Sequence, residues 1–500
     1  MDWLEVSQLD EPGRRLLGRL WAERIVWDPA DAAAVEVLRG DAERIASDMD
    51  DPARQPPMFW SGVPLPPEGP EPSCPEHLAV SIGGTNTNFA ILRLDRGKLV
   101  GFDLIAGAET SDPAEIARIK TASQMPTPQF GPTTPTGQEM VHQTASHLAR
   151  NLAPHRAALE RCRGILLSWG FAHRAIRTGP RLVGGLSALA TKMTKGQAGF
   201  TPHLAGKDIG ALFEGELRSL LGWSRPVAVA NDTVMSLHYF LGPSRRAGHA
   251  QVGLFINGTG TNFALAEPYA VRAGGVISRP GEDYAPERLG PRRHLGPGER
   301  IELYLVNYES GSVEMGATRT RFDTETEYPI ERNALAGGHA FGRQLKLFVE
   351  ELIAPGVYEG IRRSCGAGGG AETALATGRQ VAELAIRREP PEFPAGSHSD
   401  PNTAGLLRLV ARAIIDRSAL HAALILAATT LRTGFGRGTV GVPDLLGMEG
   451  SVWKIPGYGG RVRQWWQVLL GSEPLNVDFA AEPSFNASLP GPLFLAALHV

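Results

Sequence analysis

The sequence predicts an α/β protein of two or more lobes, on three observations. The chain has 500 residues, well beyond the usual size of one domain. Short apolar runs end abruptly on polar or glycine-rich loops, notably around residues 82, 230 and 257. After several of these loops the apolar period lengthens to that of a helix, as strand–loop–helix units require.

The most informative stretch is 226–264, PVAVANDTVMSLHYFLGPSRRAGHAQVGLFINGTGTNFA. Val227 to Ala230 reads as a strand and ends on Asn231-Asp232-Thr233. Val234, Leu237 and Leu241 then share one helical face, and Asn, Asp and Thr all cap helices well. A second strand, Gln251 to Ile256, runs into Gly258-Thr259-Gly260-Thr261-Asn262. Glycine lets a backbone approach a ligand closely, and free N–H groups with a threonine hydroxyl suit a phosphate. A carboxylate beside such a loop suits general-base removal of a hydroxyl proton during phosphoryl transfer. Taken singly, Asn-Asp-Thr is a helix cap and GTGT a turn. Together on adjacent strands, they favour the chemical reading.

Bulk properties narrow the setting. The composition, 42% hydrophobic and 21% charged, is that of a folded globular chain. A formal net charge of −3 gives no global attraction to nucleic acid or anionic membrane. Cys74, Cys162 and Cys365 have neither metal-ligand nor disulfide-framework spacing, so buried thiols in a reducing cytoplasm are expected, and no metal-ligating residues are assigned. The opening MDWLEVSQLDEPGRRLLGRL lacks the basic start and apolar core of a signal peptide, and no run approaches the ~20 apolar residues of a membrane helix.

In chain order, residues 10–50 read as amphipathic helix, with Leu16, Leu20 and Ile25, then Ala34, Val37 and Leu38. Pro52 to Pro75 is too rich in proline for helix or central strand and reads as an extended connector, whose Met58, Phe59 and Trp60 pack against something. His77–Ile82, Asn88–Leu94 and Leu99–Ile105 are strands, the first two joined by Gly83-Gly84-Thr85-Asn86, which alone is no more than a hairpin turn. A helix runs from Thr136 through Leu152, and Gly164–Ser168 is a buried strand. A Gly/Ala-rich loop then leads to Thr194-Lys195-Gly196, and Leu212–Leu221 is helical. Residues 272–300 read as a solvated insertion and Leu303–Tyr308 as a strand ending on Glu309. Ala340–Leu352 is helical and 365–375 a flexible glycine-rich stretch. A long helix at about 404–430 carries Leu420, Leu424, Ala427 and Leu431 on one side. Gly447 to Ser451 reads as a glycine turn, Gly460–Leu470 as a helix with Trp465 and Trp466 in the core, Leu475 to Phe479 as a strand, and a last helix closes the chain.

In this order the motifs resemble the hexokinase family of the sugar-kinase, actin and heat-shock ATPase superfamily, over nearly the whole chain. SIGGTNTNFAIL resembles its first phosphate motif, DLGGTNFRVLLV. GILLSWG resembles its FSFP strand, MTKG its TKG, VANDTV its NDTV, and GLFINGTGTNFALAEP its GTGTNACYxE. VNYESG resembles its NxEWG and GMEGSVWKIPGY its adenosine motif, GVDGSVYKxHPxF. NDTV followed by GTGTN at this spacing is the specific part of the match.

The resemblance implies two actin-like (ribonuclease H-like) lobes, each a mixed five-stranded sheet with helices, around a central cleft. It implies an N-terminal helical segment and connector, 1–75, packed on the large lobe, and a small lobe, 76–227, completed by a C-terminal helix at about 484–500. The large lobe would be 228–483. The implied activity is ATP-dependent phosphorylation of the 6-hydroxyl of a hexose, with Mg²⁺ on the phosphates and Asp232 as base. By motif match, Ser168, Thr194, Lys195, Asn231, Asp232, Asn262 and Glu309 would contact the sugar. A last sugar-binding carboxylate precedes a glycine matching Gly338, which points to Asn333, or to Glu331 if two residues are inserted. Gly83, Gly84, Thr85 and Asn86 match the first phosphate loop, Gly258, Thr259 and Gly260 the second, and Gly447, Gly450 and Ser451 the adenosine end. Ser81 stands where the family has an aspartate that helps hold Mg²⁺, and Asn88 where it has arginine. The expected partners are sugar and ATP, with no nucleic acid or membrane, for a cytoplasmic monomer or homodimer. The alternatives are a kinase of an amino sugar or cyclitol pseudosugar, and a hexokinase-like sugar sensor with little catalysis.

Overall fold

The computed structural model describes residues 4, 6–49, 58–60, 76–82, 86–95, 98–104, 108–109, 125–126, 137–170, 172–176, 187–192, 207–258, 260–272, 287–288, 299–314, 316–323, 337–353, 355, 357, 378–386, 401–439, 441–471 and 473–481. Two helices come first, α1 (Glu11–Ala22) and α2 (Ala32–Asp48). Asp10 caps α1 by accepting from Gly13 N at 2.8 Å, and Asp31 caps α2 from Ala33 N and Ala34 N. The apolar faces end on Leu16, Leu20, Leu38 and Ile45, all buried.

The strands then follow as β1 (Met58–Trp60), β2 (Glu76–Ile82), β3 (Asn86–Asp95), β4 (Lys98–Leu104), β5 (Ala108–Glu109) and β6 (Met125–Pro126). Helices α3 (Gly137–Leu152) and α4 (Arg156–Arg161) lead to β7 (Cys162–Trp169) and the pair β8 (Ala172–Ile176) and β9 (Ser187–Lys192). Helix α5 (Ile209–Leu221), β10 (Val227–Ala230), α6 (Asp232–Ala247), β11 (Val252–Asn257), β12 (Thr261–Arg272), β13 (Glu287–Arg288) and β14 (Glu299–Asn307) come next. Helices α7 (Phe341–Leu352), α8 (Gly378–Ile386) and α9 (Pro401–Thr433), strand β15 (Asp444–Glu449), helix α10 (Tyr458–Leu470) and β16 (Val477–Ala481) complete the described chain.

Two mixed sheets repeat one plan. The first is ordered β4-β3-β2-β7-β10, antiparallel through β2 and parallel from there on. The second is ordered β14-β12-β11-β15-β16, with the same change from antiparallel to parallel at its central strand. Each five-strand core carries two short additions: β5 and β6 in the first sheet, β1 and β13 in the second. Met58–Trp60, the apolar triplet of the connector, is the edge strand on β14, where proline-rich flanks are tolerated.

One apolar core joins the first sheet, α3, α5, α6 and one face of the second sheet. The other joins the opposite face of the second sheet to α1, α2, α7, α9 and α10. Helix α9, 33 residues and about 50 Å long, is buried nearly all round from Ala404 to Thr430, as a helix through the middle of a large core must be. Trp465 and Trp466 are fully buried, as expected of core residues.

Four expectations are corrected. Val37, expected on the apolar face of α2, is 46% exposed. Leu431 is 46% exposed rather than part of an apolar stripe, because α9 has apolar neighbours on every side and emerges only at its last turn. The Gly/Ala-rich loop after Ser168 contains an antiparallel pair, β8 and β9; alanine, arginine and lysine, poor strand formers, hid it. Gly447 lies inside β15, not in a turn, paired with Leu254 and Ala480. A Cβ on it would come within 2.7 Å of the Phe240 ring, so packing accounts for that glycine. The 365–375 stretch, most of 272–300 and the closing helix at about 484–500 lie outside the described residues.

Candidate active site

Strand direction assembles the site. In the first sheet the parallel strands β2, β7 and β10 end side by side, with Ser81 in register with Ser168 and Ser168 with Ala230. In the second, β11 and β15 end together, with Ile256 opposite Glu449. The carboxyl ends of parallel strands are where open α/β sheets leave room for ligands. Asn231-Asp232, Gly258 and Gly450-Ser451 are the residues that follow those ends.

Asn231 is the N-cap of α6 and its side chain accepts from Thr233 N at 2.9 Å. Capping therefore fixes Asp232 at the first helical position, half-buried. Asp232 Oδ1 accepts from Thr233 N at 2.8 Å and from Thr233 Oγ1 at 3.3 Å. No basic side chain pairs with Asp232 among the described residues. Its carboxylate is thus oriented by neutral donors and not locked in an ion pair.

Thr233 Oγ1 in turn accepts from Asn262 Nδ2 at 2.9 Å. The same Nδ2 faces Asn307 Oδ1 at 2.9 Å and Glu309 Oε1 at 3.3 Å. An amide nitrogen has two hydrogens for these three acceptors, so the longest contact, to Glu309, is the weakest. Asn307 Nδ2 holds Glu309 Oε1 at 2.8 Å, and Glu309 N donates to Asn307 Oδ1 at 3.1 Å. Asn262 Oδ1 accepts from Ser310 N at 3.2 Å. Three side chains, Thr233, Asn262 and Asn307, therefore link Asp232 to Glu309. Glu309 has φ +46°, ψ 41°, a left-handed conformation that costs a non-glycine residue about 1 kcal/mol or more and is held here by its neighbours.

Ser168 is fully buried, and its Oγ has no hydrogen-bond partner among the described residues. The same holds for Asn88 Oδ1, across the sheet from Ser81. Buried polar atoms left unpaired are unfavourable, and these two lie in the register row beside Ser81.

The glycines meet backbone to backbone. Gly258 N donates to Gly260 O at 2.9 Å, and Gly338 N to Gly258 O at 2.7 Å. A Cβ on Gly338 would lie 3.1 Å from Gly258 O, and one on Gly258 would lie 3.7 Å from the Cα of Gly450 and 3.8 Å from Ser451 N. Gly450 has φ +108°, and a Cβ there would sit 2.4 Å from Asn257 O. Asn257 Nδ2 donates to the Tyr458 phenol at 2.7 Å, tying this edge to α10; burial pushes the Tyr458 hydroxyl well above its ordinary pKa.

Of the residues expected from sequence, Asn231, Asp232, Asn262 and Glu309 come together in one network. Gly258, Gly260, Gly338, Gly450 and Ser451 come together in the glycine cluster. Asn86 opens β3. Gly83, Gly84, Thr85, Thr194, Lys195, Thr259, Glu331 and Asn333 lie outside the described residues. The sequence reading missed Thr233 as a link between Asp232 and Asn262, having taken it only as part of a cap. It also missed Gly378 at the start of α8, where a Cβ would lie 2.1 Å from Gly338 O. A glycine opening an apolar-periodic run was the available signal.

No family model matches the chain, and no curated protein matches it. Solved structures do. The hexokinase from Schistosoma mansoni complexed with glucose is 17% identical, with 98% of this chain and 100% of that chain covered and a TM-score of 0.62. Another hexokinase structure is 17% identical, with 99% and 98% covered and a TM-score of 0.52. With two mixed sheets of one strand order, this chain has the two-lobe, actin-like fold of the hexokinases along nearly all of its length.

Proposed function

We propose that this protein transfers the γ-phosphoryl group of ATP to the 6-hydroxyl of a hexose, glucose or a related sugar. The observation that carries the reading is the Asp232–Thr233–Asn262–Glu309 network beside the glycine cluster. It sets one carboxylate, with no ion pair among the described residues, near a set of hydroxyl-binding amides and a backbone suited to phosphates. In this reading 76–227 is the small lobe and 228–483 the large one, with 1–75 packed on the latter.

Ser168, Asn231, Asn262 and Glu309 bind sugar hydroxyls, together with Thr194, Lys195 and either Glu331 or Asn333. Amides and carboxylates supply both the donors and the acceptors that hydroxyls need. Asp232 takes the proton of the 6-hydroxyl as its oxygen attacks the γ-phosphorus and the bond to the ADP oxygen breaks. No covalent enzyme intermediate is required. The turn 83–86 and the cluster of Gly258, Thr259, Gly260 and Gly338 cradle the phosphates, while Gly450-Ser451 faces the adenosine. Mg²⁺ enters as part of the nucleotide substrate. Position 81, a buried serine, offers it no carboxylate, and no three His, Cys, Asp or Glu side chains cluster as a metal site among the described residues.

The test is ADP release with Mg-ATP over glucose, mannose, glucosamine and a cyclitol, for wild type and Asp232→Ala. Sugar-dependent turnover should fall by about 10²–10⁴-fold in the variant. Equal trace turnover in both, with sugar still bound, would make the protein a sugar-binding sensor instead.

A further inference from the structure

We propose that Arg432 is a positioning residue for the sugar-binding edge, acting on Glu309 through the Tyr308 phenol. The proposal rests on the reading of Glu309 as a sugar contact.

Arg432 lies in the last turn of α9, where a cation suits the carbonyl end of the helix. Its Nη1 donates to the Tyr308 hydroxyl and reaches Glu267 Oε1 at 3.4 Å. The ion pair is out of water, with side chains 5% and 3% exposed. Glu267 is on β12, the strand that begins with Thr261-Asn262. Tyr308 is 1% exposed and immediately precedes Glu309. Its N–H donates to Phe263 O at 3.0 Å, and its ring stacks on Phe263 with centroids 6.1 Å apart and planes at 19°.

A buried ion pair is poor value as a source of stability, because desolvating both charges offsets their attraction. An apolar pair of the same volume would hold α9 against β12 as well. A directed contact is different. The guanidinium is fixed by Glu267 and therefore fixes the phenol it donates to. Stacking constrains the Tyr308 ring plane and the phenol contact constrains its tip, so the residue has one orientation. The next residue is the one in the left-handed conformation. Releasing the tip of Tyr308 lets the backbone relax at Glu309, and the carboxylate leaves the reach of Asn307 and Asn262. Arg432 touches no substrate; its effect passes through Tyr308.

The experiment measures calorimetric affinity for whichever of glucose, mannose and glucosamine wild type binds most tightly, with sugar and ATP KM and Tm alongside. Tyr308→Phe removes only the hydroxyl. The double variant Arg432→Met/Glu267→Met removes both charges without stranding either, so it should fold. Both should weaken sugar binding by about tenfold, the worth of one charge-assisted hydrogen bond. ATP KM should stay within about twofold, and Arg432→Lys should recover part of the loss. In a Glu309→Gln background Tyr308→Phe should add less than about twofold, since the residue it positions is already disabled. If Glu309→Gln weakens sugar binding while Tyr308→Phe and the double variant do not, the positioning role is overturned and the functional reading stands. Equal losses for sugar and ATP with a lowered Tm would also overturn it, as a purely structural contact. If Glu309→Gln leaves sugar affinity unchanged, or none of the three sugars binds, the functional reading falls and the proposal with it.

Discussion

In the first sheet, β2, β7 and β10 run out at Ile82, Trp169 and Ala230; in the second, β11 and β15 run out at Asn257 and Glu449. The strand order is the same, yet the edges at the carboxyl ends of these strands are built from different materials. The first edge presents side chains, with Ser81, Asn88 and Ser168 in one register row, all buried. Two of its polar atoms, Ser168 Oγ and Asn88 Oδ1, lack hydrogen bonds among the described residues. The second edge presents backbone, with Gly258, Gly338 and Gly450 packed against one another and their N–H and C=O groups partly paired among themselves. A side-chain edge can wait unsatisfied for a polar ligand and adjusts by rotamer. A backbone edge is formed before the ligand arrives and leaves no room for an added atom at Gly450. One scaffold used twice thus gives an adaptable side-chain edge and a rigid backbone edge.

The largest effect that tests this contrast is at Gly450. Gly450→Ala forces a Cβ to within 2.4 Å of Asn257 O at φ +108°, in a region closed to alanine. Gly248→Ala, at φ +77° with open space around it, is the control for backbone conformation alone. The control should cost about 1–2 kcal/mol. Gly450→Ala should cost several kcal/mol more than the ~1 kcal/mol typical of a substitution and raise ATP KM at least about tenfold, seen by denaturant melts and kinetics. Equal costs in the two variants would mean that the glycine cluster is loose and the contrast between the edges is false.

A smaller effect is expected at Ser168. Its buried hydroxyl, without a partner among the described residues, costs about 1–3 kcal/mol in the empty protein, so Ser168→Ala should leave Tm unchanged or raise it. Sugar KM should rise about three- to tenfold, the worth of one neutral hydrogen bond. A fall in Tm with sugar KM unchanged would assign the hydroxyl to structure.

How far the sequence carried this comparison depended on range. Strand ends and caps are local, so the Val227–Ala230 strand, the Asn231 cap and the strand that runs into Gly258 were legible from neighbours in the chain. The burial of Trp465 and Trp466 was legible from composition and period alone. The contacts that complete the site are long-range. Asn262 meets Glu309 across 47 positions, and Gly378 meets Gly338 across a stretch with no shared pattern. Gly447 shows the opposite failure, a glycine that looked like a turn because the Phe240 ring that requires it is two hundred residues away. The pairing of β8 with β9 was hidden by residues whose strand preference is weak and whose partners decide the outcome.

The smallest effect on turnover, and the sharpest test of how far the first edge takes part in phosphate chemistry, is at Ser81. The position is 2% exposed and in register with Ser168 and Asn88. A carboxylate introduced there has no basic neighbour in that register row, so Ser81→Asp should lower the Tm of the empty protein by several degrees, as an unpaired buried charge does. Burial would raise its pKa above the ~3.9 of an unfolded aspartate, so the destabilisation should grow as pH rises through that value and level off above the folded pKa. If the edge faces the nucleotide phosphates, Mg-ADP should recover most of the lost Tm, because the cation supplies the missing charge. The Mg²⁺ concentration for half-maximal turnover should then fall about threefold, in line with one added ligand oxygen among water and phosphate. A Tm that falls and is not recovered by Mg-ADP would separate Ser81 from the phosphates.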